Sequence, residues 1–346
     1  MYIKDLYAIS PQKTHDLSFE QGDWQVLNQY MYTALEPSYQ DLIPNAQLRR
    51  MGKAVRMGIG VSLPLLARNA KPDGIIFGTA NGGLEDCIKF LNQIVEYNEG
   101  TLTPTNFVQS TPNALAGQVA LLSENQGYNM THVNGSLAFE SALLDASLYF
   151  DEHQNTPKSL LLGAVEEISD YNYNIDHLGN RFKEELVSNN DLLRSQTNGS
   201  YCGEGSVQFI LSSSPENSLA KFSAFNQSSN LTEEEITDFV QSFLAEQNLQ
   251  PEDIDCLLLG KNGDVRTDSW YDKVQTCFGT EMPLVFFKKA VGEYRTVSAF
   301  ASYLAVRLLN GQAGHLIENG TTENPRTILI YNHFDAVRHS LILIQK

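Results

Sequence analysis

The chain has 346 residues, 42% of them apolar, which is enough to fill the cores of two packed α/β units. Its formal charge of −17 argues against a nucleic-acid binder, which needs clustered Lys and Arg, and against a surface that attracts an acidic carrier protein without a local basic patch. Four cysteines (Cys87, Cys202, Cys256, Cys277) lack ligand-like spacing, so neither a zinc site nor a disulfide framework is expected.

No stretch approaches the roughly 20 apolar residues of a membrane span, and the first residues do not read as a signal peptide. A cytoplasmic protein is expected, and its N-x-S/T triplets then carry no meaning. Residues 1–9 read as a first strand, and 10–45 are polar and aromatic-rich with little period. A helix opens at Pro44 and is expected to run to residue 69, with Leu48, Met51, Val55 and Ile59 at helical spacing. Arg49, Arg50, Lys53 and Arg56 form the dense basic cluster of the chain, read as a solvated helix face in preference to a docking patch.

DGIIFGT at 73–79 is a short buried-type strand running into Ala80-Asn81-Gly82-Gly83. The adjacent glycines allow close backbone approach, but the pattern is not a dinucleotide fingerprint. A helix follows over 84–97. Next, Pro112 stands at a first helical position, and Ala114, Ala116, Gly117 and Ala120 predict a closely packed helix. SLLLGAV at 159–165 is another buried strand. The acidic run Glu166-Glu167-Ile168-Ser169-Asp170 after it is not read as a metal site, because hard cations need converging oxygens.

Residues 184–199 read as a surface excursion, and Gly203-Glu204-Gly205 leads into a strand. SSSPENS at 212–218 is the best boundary, dividing the chain into 1–212 and 213–346. Past it come a strand at 219–225 and a capping box at Thr232–Glu235 that opens a helix to 246. A buried strand at 255–260, a polar loop, a helix near 269–277 and a strand at 283–287 follow. An apolar helix over 296–309 and an antiparallel pair at 326–331 and 340–344 close the chain. Strands alternating with helices in both halves predict an α/β protein with mixed sheets covered by helices.

The stretch YNMTHVNGSLAFESALLDASLYF at 128–150 organises the rest. It reads as a strand, a turn at Asn134-Gly135, and a buried helix with Ala138, Ala142 and Ala146 four apart. Ser136 stands at the positive end of that helix, beside unpaired backbone donors. As a nucleophile it would have an oxyanion site at hand. As a helix-start serine it would be a capping residue worth about 1 kcal/mol, and that plainer reading is preferred. The spacing is not G-x-S-x-G, and the sequence places no base beside it.

These landmarks, in this order, resemble the β-ketoacyl synthases of the thiolase superfamily. More narrowly, they are similar to the chain-length-factor type found in aryl polyene and flexirubin-like pigment pathways. The resemblance rests on Leu48-Arg49-Arg50-Met51, Phe77-Gly78-Thr79-Ala80-Asn81-Gly82-Gly83, Thr103-Pro104-Thr105-Asn106-Phe107, Thr111-Pro112-Asn113-Ala114-Leu115-Ala116-Gly117 and Gly203-Glu204-Gly205. Asn113, Glu204 and Asp268 are its structural landmarks. It implies two pseudo-repeated layered halves with mixed sheets, and central helices, from Ser136 and near Thr296, buried together. It also implies that Glu204 is buried and bonded.

Carried over residue by residue, the resemblance puts Ser136 where a synthase has its cysteine. Counting back from Asp268 puts Gly260 at the first histidine. Lys288 matches the lysine, and Glu293, five residues on, replaces the second histidine. The Cys-His-His triad is thus absent, with His132, His333 and His339 as outside candidates for a base. Lys288 and Glu293 are expected to form an internal ion pair near the helix start at 136.

The implied function is a non-condensing subunit that pairs with an active β-ketoacyl synthase and helps to shape the acyl tunnel. The acyl carrier protein would then dock mainly on that partner. A homodimer of the same geometry stays open. Two other readings are an acyltransferase or hydrolase using Ser136, and a stand-alone acyl-binding protein. No cofactor and no metal are expected.

Overall fold

The computed structural model describes residues 1–40 and 42–346. In chain order it contains β1 (Tyr2–Ile9), β2 (Met31–Tyr32), α1 (Asn45–Leu48), α2 (Lys53–Arg68), β3 (Gly74–Gly78), α3 (Leu84–Glu96), α4 (Pro104–Gln109), α5 (Ala114–Leu122) and β4 (Tyr128–His132). There follow α6 (Ala138–Glu152), β5 (Ser159–Glu166), α7 (Asp170–Leu178), β6 (Cys202–Gly203), β7 (Gly205–Ser212), β8 (Ala220–Ser229) and α8 (Glu235–Glu246). The chain ends with β9 (Cys256–Leu259), α9 (Asp268–Thr276), β10 (Leu284–Phe286), α10 (Lys288–Val291), α11 (Ser298–Leu309), β11 (Thr327–Phe334) and β12 (Arg338–Gln345).

Ten strands form one mixed sheet in the order β10-β9-β11-β12-β8-β1-β7-β5-β3-β4. It consists of two sets of five strands joined by a short pairing of Tyr2 with Lys221 and Ile3 with Ala220. The sets repeat one topology: β1-β7-β5-β3-β4 answers β8-β12-β11-β9-β10, taken from the junction outward. In each, the first two pairings are antiparallel and the last two parallel.

Alternation along the strands assigns the faces. In β5, Leu160, Leu162 and Ala164 enter the main core while Leu161 and Val165 pack under α2 and α5. In β11 and β12, Ile328, Ile330, Ile342 and Ile344 enter the same main core, while Leu329, Tyr331, Leu341 and Leu343 pack under α8 and α9. A strand buried on both faces needs an apolar residue at nearly every position, and these sequences supply one.

Helices α6 and α11 share that main core, α6 through Phe139, Ala142 and Ala146 and α11 through Ala301, Leu304 and Ala305. Their alanines bring helix and strand backbones close together. A Cβ at Gly78 would sit 2.5 Å from the carbonyl oxygen of Ala138, so the end of β3 needs glycine to meet the start of α6.

Three local expectations need correction. The helix expected over 44–69 is broken: α1 ends at Leu48 and α2 begins at Lys53. The break is held by Gln109, whose side-chain oxygen accepts from Gly52 N at 2.6 Å and whose amide donates to the Arg50 carbonyl. Pro112 precedes α5 rather than opening it. The acidic run at 166–170 leads into α7, an unanticipated helix capped by the Ser169 hydroxyl, which accepts from Asn172 N at 3.2 Å.

Candidate functional site

The loops at the carboxyl ends of β5, β9 and β11 meet the segment after α10 around one small polar cavity. Its volume is about 30 Å³, and Glu166, Glu167, Asn262, Glu293, Arg295 and Phe334 are among its lining residues. Lys288, on the short α10, reaches it from the core. Its side chain is fully buried, and its ammonium donates to Glu293 Oε2 at 2.7 Å, the His333 carbonyl at 3.0 Å and Tyr271 Oη at 3.2 Å. Three donors meet three acceptors, which lets the charge stay buried.

Glu293 Oε2 also accepts from Asn262 Nδ2 at 2.7 Å. Burial pushes the Glu293 carboxyl above the ordinary carboxylate range, against the opposing pull of Lys288 and then Asn262. The ion pair expected from the sequence is therefore present and internal. Ser136, buried in a 3-10 turn before α6, is not among the residues that line the cavity.

The position matched to the first imidazole is closely packed. A Cβ at Gly260 would lie 2.4 Å from Asn332 Oδ1 and 2.8 Å from Tyr271 Oη, so no side chain fits there. The group that faces Glu293 is Asn262, two residues on. Counting back from Asp268 presumes a loop of fixed length after β9. Asn262-Gly263-Asp264 was the available signal, a polar residue before a glycine with φ of +78°.

The three candidate bases are engaged elsewhere. His132 Nε2 bonds Asp145 Oδ2 at 2.8 Å, and the same carboxylate accepts from Tyr128 Oη at 3.0 Å. His333 stacks on Tyr271 with ring centroids 4.2 Å apart and bonds the Thr267 carbonyl through Nε2 at 3.1 Å. Burial, with Lys288 beside it, holds its pKa well below the usual imidazole value. His339 lies between Tyr331 Oη (3.0 Å) and the Ala336 carbonyl (3.2 Å), and burial lowers its pKa to about 4. Both are neutral core residues at pH 7. No histidine lines the cavity among the described residues.

Of the structural landmarks, Glu204 is fully buried and accepts from Lys53 Nζ at 2.5 Å and from the backbone amides of Ala34 and Ile168, each at 2.7 Å. Asp268 opens α9 and accepts from Asn262 N at 3.3 Å, and burial raises it to about 6. Asn113 is exposed, and its side-chain oxygen accepts from Thr131 Oγ1 at 3.4 Å.

Sequence reasoning missed the ion pairs that close the cavity. Arg295 grips Asp176 with both nitrogens at 2.9 and 2.8 Å, and Arg181 bridges Asp176 (3.1 Å) to Asp335 (2.6 Å). The Arg295–Asp176 and Arg181–Asp335 contacts span more than 100 residues, and no local pattern announces them. Glu166, entirely buried, accepts from the Ala80 amide, Thr79 Oγ1 and Asn81 Nδ2. Glu167 Oε1, Asn172 Nδ2, Glu293 Oε1 and Tyr294 Oη also belong to the lining and have no protein partner among the described residues, chemistry suited to a few ordered waters. Burial, reinforced by Asp86, Glu85 and Glu204, raises the Glu167 carboxyl to about 7 against the Ala54 amide.

Residues 22–181 match the family profile described as "Beta-ketoacyl synthase, N-terminal domain". No curated protein matches the chain by sequence. Among solved structures, a β-ketoacyl synthase from Burkholderia phymatum STM815 superposes with a TM-score of 0.81 at 14% identity, covering 100% of this chain and 98% of that one. The ketosynthase ApeO in complex with its chain length factor ApeC from Xenorhabdus doucetiae gives 0.76 at 12% identity, over 99% and 97% of the two chains. AntDE:AntF, a type II acyl-carrier protein in complex with its ketosynthase bound to the hexaketide, gives 0.77 at 11%, over 99% and 98%. At these identities the likeness is one of fold. Among the described residues no helix is long and apolar enough to cross a membrane.

Proposed function

We propose that this ketosynthase-like chain is a non-condensing subunit of the chain-length-factor kind. It pairs with an active β-ketoacyl synthase that elongates carrier-bound acyl chains in polyketide, polyene or fatty-acid-like synthesis, aryl polyene and flexirubin-like pigments being the narrower form. The observation that carries this reading is the Glu293 carboxylate fixed between Lys288 and Asn262. Decarboxylative condensation needs a thiolate to hold the acyl group and protonated groups to stabilise the developing enolate. Here the lysine that the resemblance matches is neutralised by a carboxylate, an amide stands beside it, and Ser136, the candidate nucleophile, is not among the residues that line the cavity. The cavity volume of about 30 Å³ has room for about two waters and none for an acyl thioester. The growing chain is therefore held by the partner, and this subunit acts on its length through the shared surface.

The surface supports pairing. β4 is an edge strand, bonded to β3 on one side only, and Met130 and Val133 at it are exposed. An unpaired edge is a template for another strand. Helix α3 carries Leu84, Ile88, Leu91 and Val95 on one face, yet none of its residues is buried, and Val95 is 79% exposed. A core-like face left uncovered is what an obligate partner covers. The division 1–212 and 213–346 follows the two strand sets, and a cytoplasmic setting fits four free thiols. The acyl carrier protein, itself acidic, docks mainly on the partner, away from a subunit of charge −17.

The test is co-expression with the candidate synthase followed by gel filtration. The reading predicts a stable 1:1 complex and a product whose length changes when this subunit is withheld. A chain that elutes as its own dimer, ignores the synthase and leaves product length unchanged would overturn it. An acyl adduct on Ser136, with loss of the paired function in Ser136→Ala, would favour the acyltransferase reading instead.

A further inference from the structure

A second cleft lies against the edge strand β10 and the short α10, and shares no lining residue with the cavity around Glu293. Its volume is about 250 Å³. Val285, Phe287, Ala290 and Leu304, all buried members of the main core, contribute to its apolar lining, together with Trp24 and the ring of His315.

Lys289 and Asn190 bring hydrogen-bond donors to this lining. The Lys289 side chain is only 15% exposed, and its ammonium bonds Glu318 Oε1 at 2.6 Å. One acceptor for three N–H groups leaves two donors without a protein partner among the described residues, on a cation that is mostly withdrawn from water. Glu318 is the outer member of the pair at 39% exposure, so its carboxylate is free to give way. Trp24 Nε1 donates to Asn190 Oδ1 at 3.0 Å, which commits the oxygen of that amide and leaves its NH2 group as a further donor.

We propose that this cleft binds a small aromatic carboxylate, its ring on the apolar lining and its carboxylate on Lys289 and Asn190. The size agrees: an apolar cavity of about 150 Å³ is enough to hold benzene, and the additional volume here suits a ring bearing a carboxylate. The ring-lined wall favours an aromatic body over an alkyl one, through offset and edge contacts. A carboxylate reaching Lys289 takes the place of the Glu318 carboxylate, so the two compete for one ammonium.

The experiment is a calorimetric titration of the whole chain with benzoate, using benzamide as the neutral isostere and hexanoate as the alkyl acid. One saturable site is expected, with benzamide and hexanoate each at least tenfold weaker than benzoate. Lys289→Met should weaken benzoate at least tenfold and leave benzamide unchanged. Glu318→Gln, at an exposed position that puts folding at little risk, should tighten benzoate several-fold by removing the competitor. Benzoate should also change the emission of Trp24, and the change should vanish in Trp24→Phe. The proposal is overturned if benzoate does not saturate a site, if benzamide or hexanoate binds equally well, or if Glu318→Gln weakens benzoate.

Discussion

Removing the Glu293 carboxylate tests the buried pair directly. In Glu293→Ala, Lys288 keeps its bonds to Tyr271 Oη and the His333 carbonyl but loses the one charged partner it has among the described residues, while its side chain remains buried. An ammonium left without a counter-ion in such a site costs about 3–5 kcal/mol. Asn262 Nδ2 loses its acceptor in the same step, which adds to the cost. Glu293→Gln keeps an acceptor for both donors and should cost less, about 1–3 kcal/mol. Pairing Lys288→Met with Glu293→Leu should recover most of the loss, since an apolar replacement of a buried pair is often nearly neutral. Urea unfolding of the four proteins at pH 7 gives the differences from the midpoints, provided the slopes agree. A loss of 1 kcal/mol or less in Glu293→Ala would show that the pair is solvated and that the account of the site is wrong.

The other predictions follow from the same geometry. Because burial raises Glu167 to about 7, folding takes up a proton, so its contribution is favourable at low pH and lost as pH rises through 7. Glu167→Gln should therefore gain on the wild type between pH 5 and 8, by at most about 3 kcal/mol at 1.36 kcal/mol per pH unit; thermal melts across that range check it, and a variant that loses ground at pH 8 refutes it. Gly260→Ala should cost about 1–3 kcal/mol, because its Cβ meets Asn332 and Tyr271, and an unchanged urea midpoint would contradict the packing around Lys288. Met130→Asp, on the open edge of β4, should leave the circular dichroism of the chain intact and abolish co-elution with the synthase; retained co-elution would place the interface elsewhere.

The strands and buried helices were legible because burial writes itself into composition. GIIFG in β3 has no polar position, and the alanines of α6 recur every four residues, so both elements follow from sequence. The break between α1 and α2 was not legible, since the Gln109 side chain that holds it lies more than 50 residues away. The cap of α7 was there to read in Ser169, three residues before the amide it accepts. At the site, Lys288 and Glu293 were legible through the family resemblance, which puts both on one short segment. Asn262 was not, since its place depends on how tightly the loop after β9 turns, and the Arg295–Asp176 contact depends on the two strand sets coming together.

The central claim is tested most directly by supplying the isolated chain with malonyl- and acyl-loaded carrier protein and examining the products by mass spectrometry. No condensation product is predicted from the wild type. None is predicted from Ser136→Cys either, since a thiolate there still lacks the two imidazoles, and the amide of Asn262 already donates to Glu293. Condensation by the isolated wild-type chain at the rate of a working synthase would contradict the account.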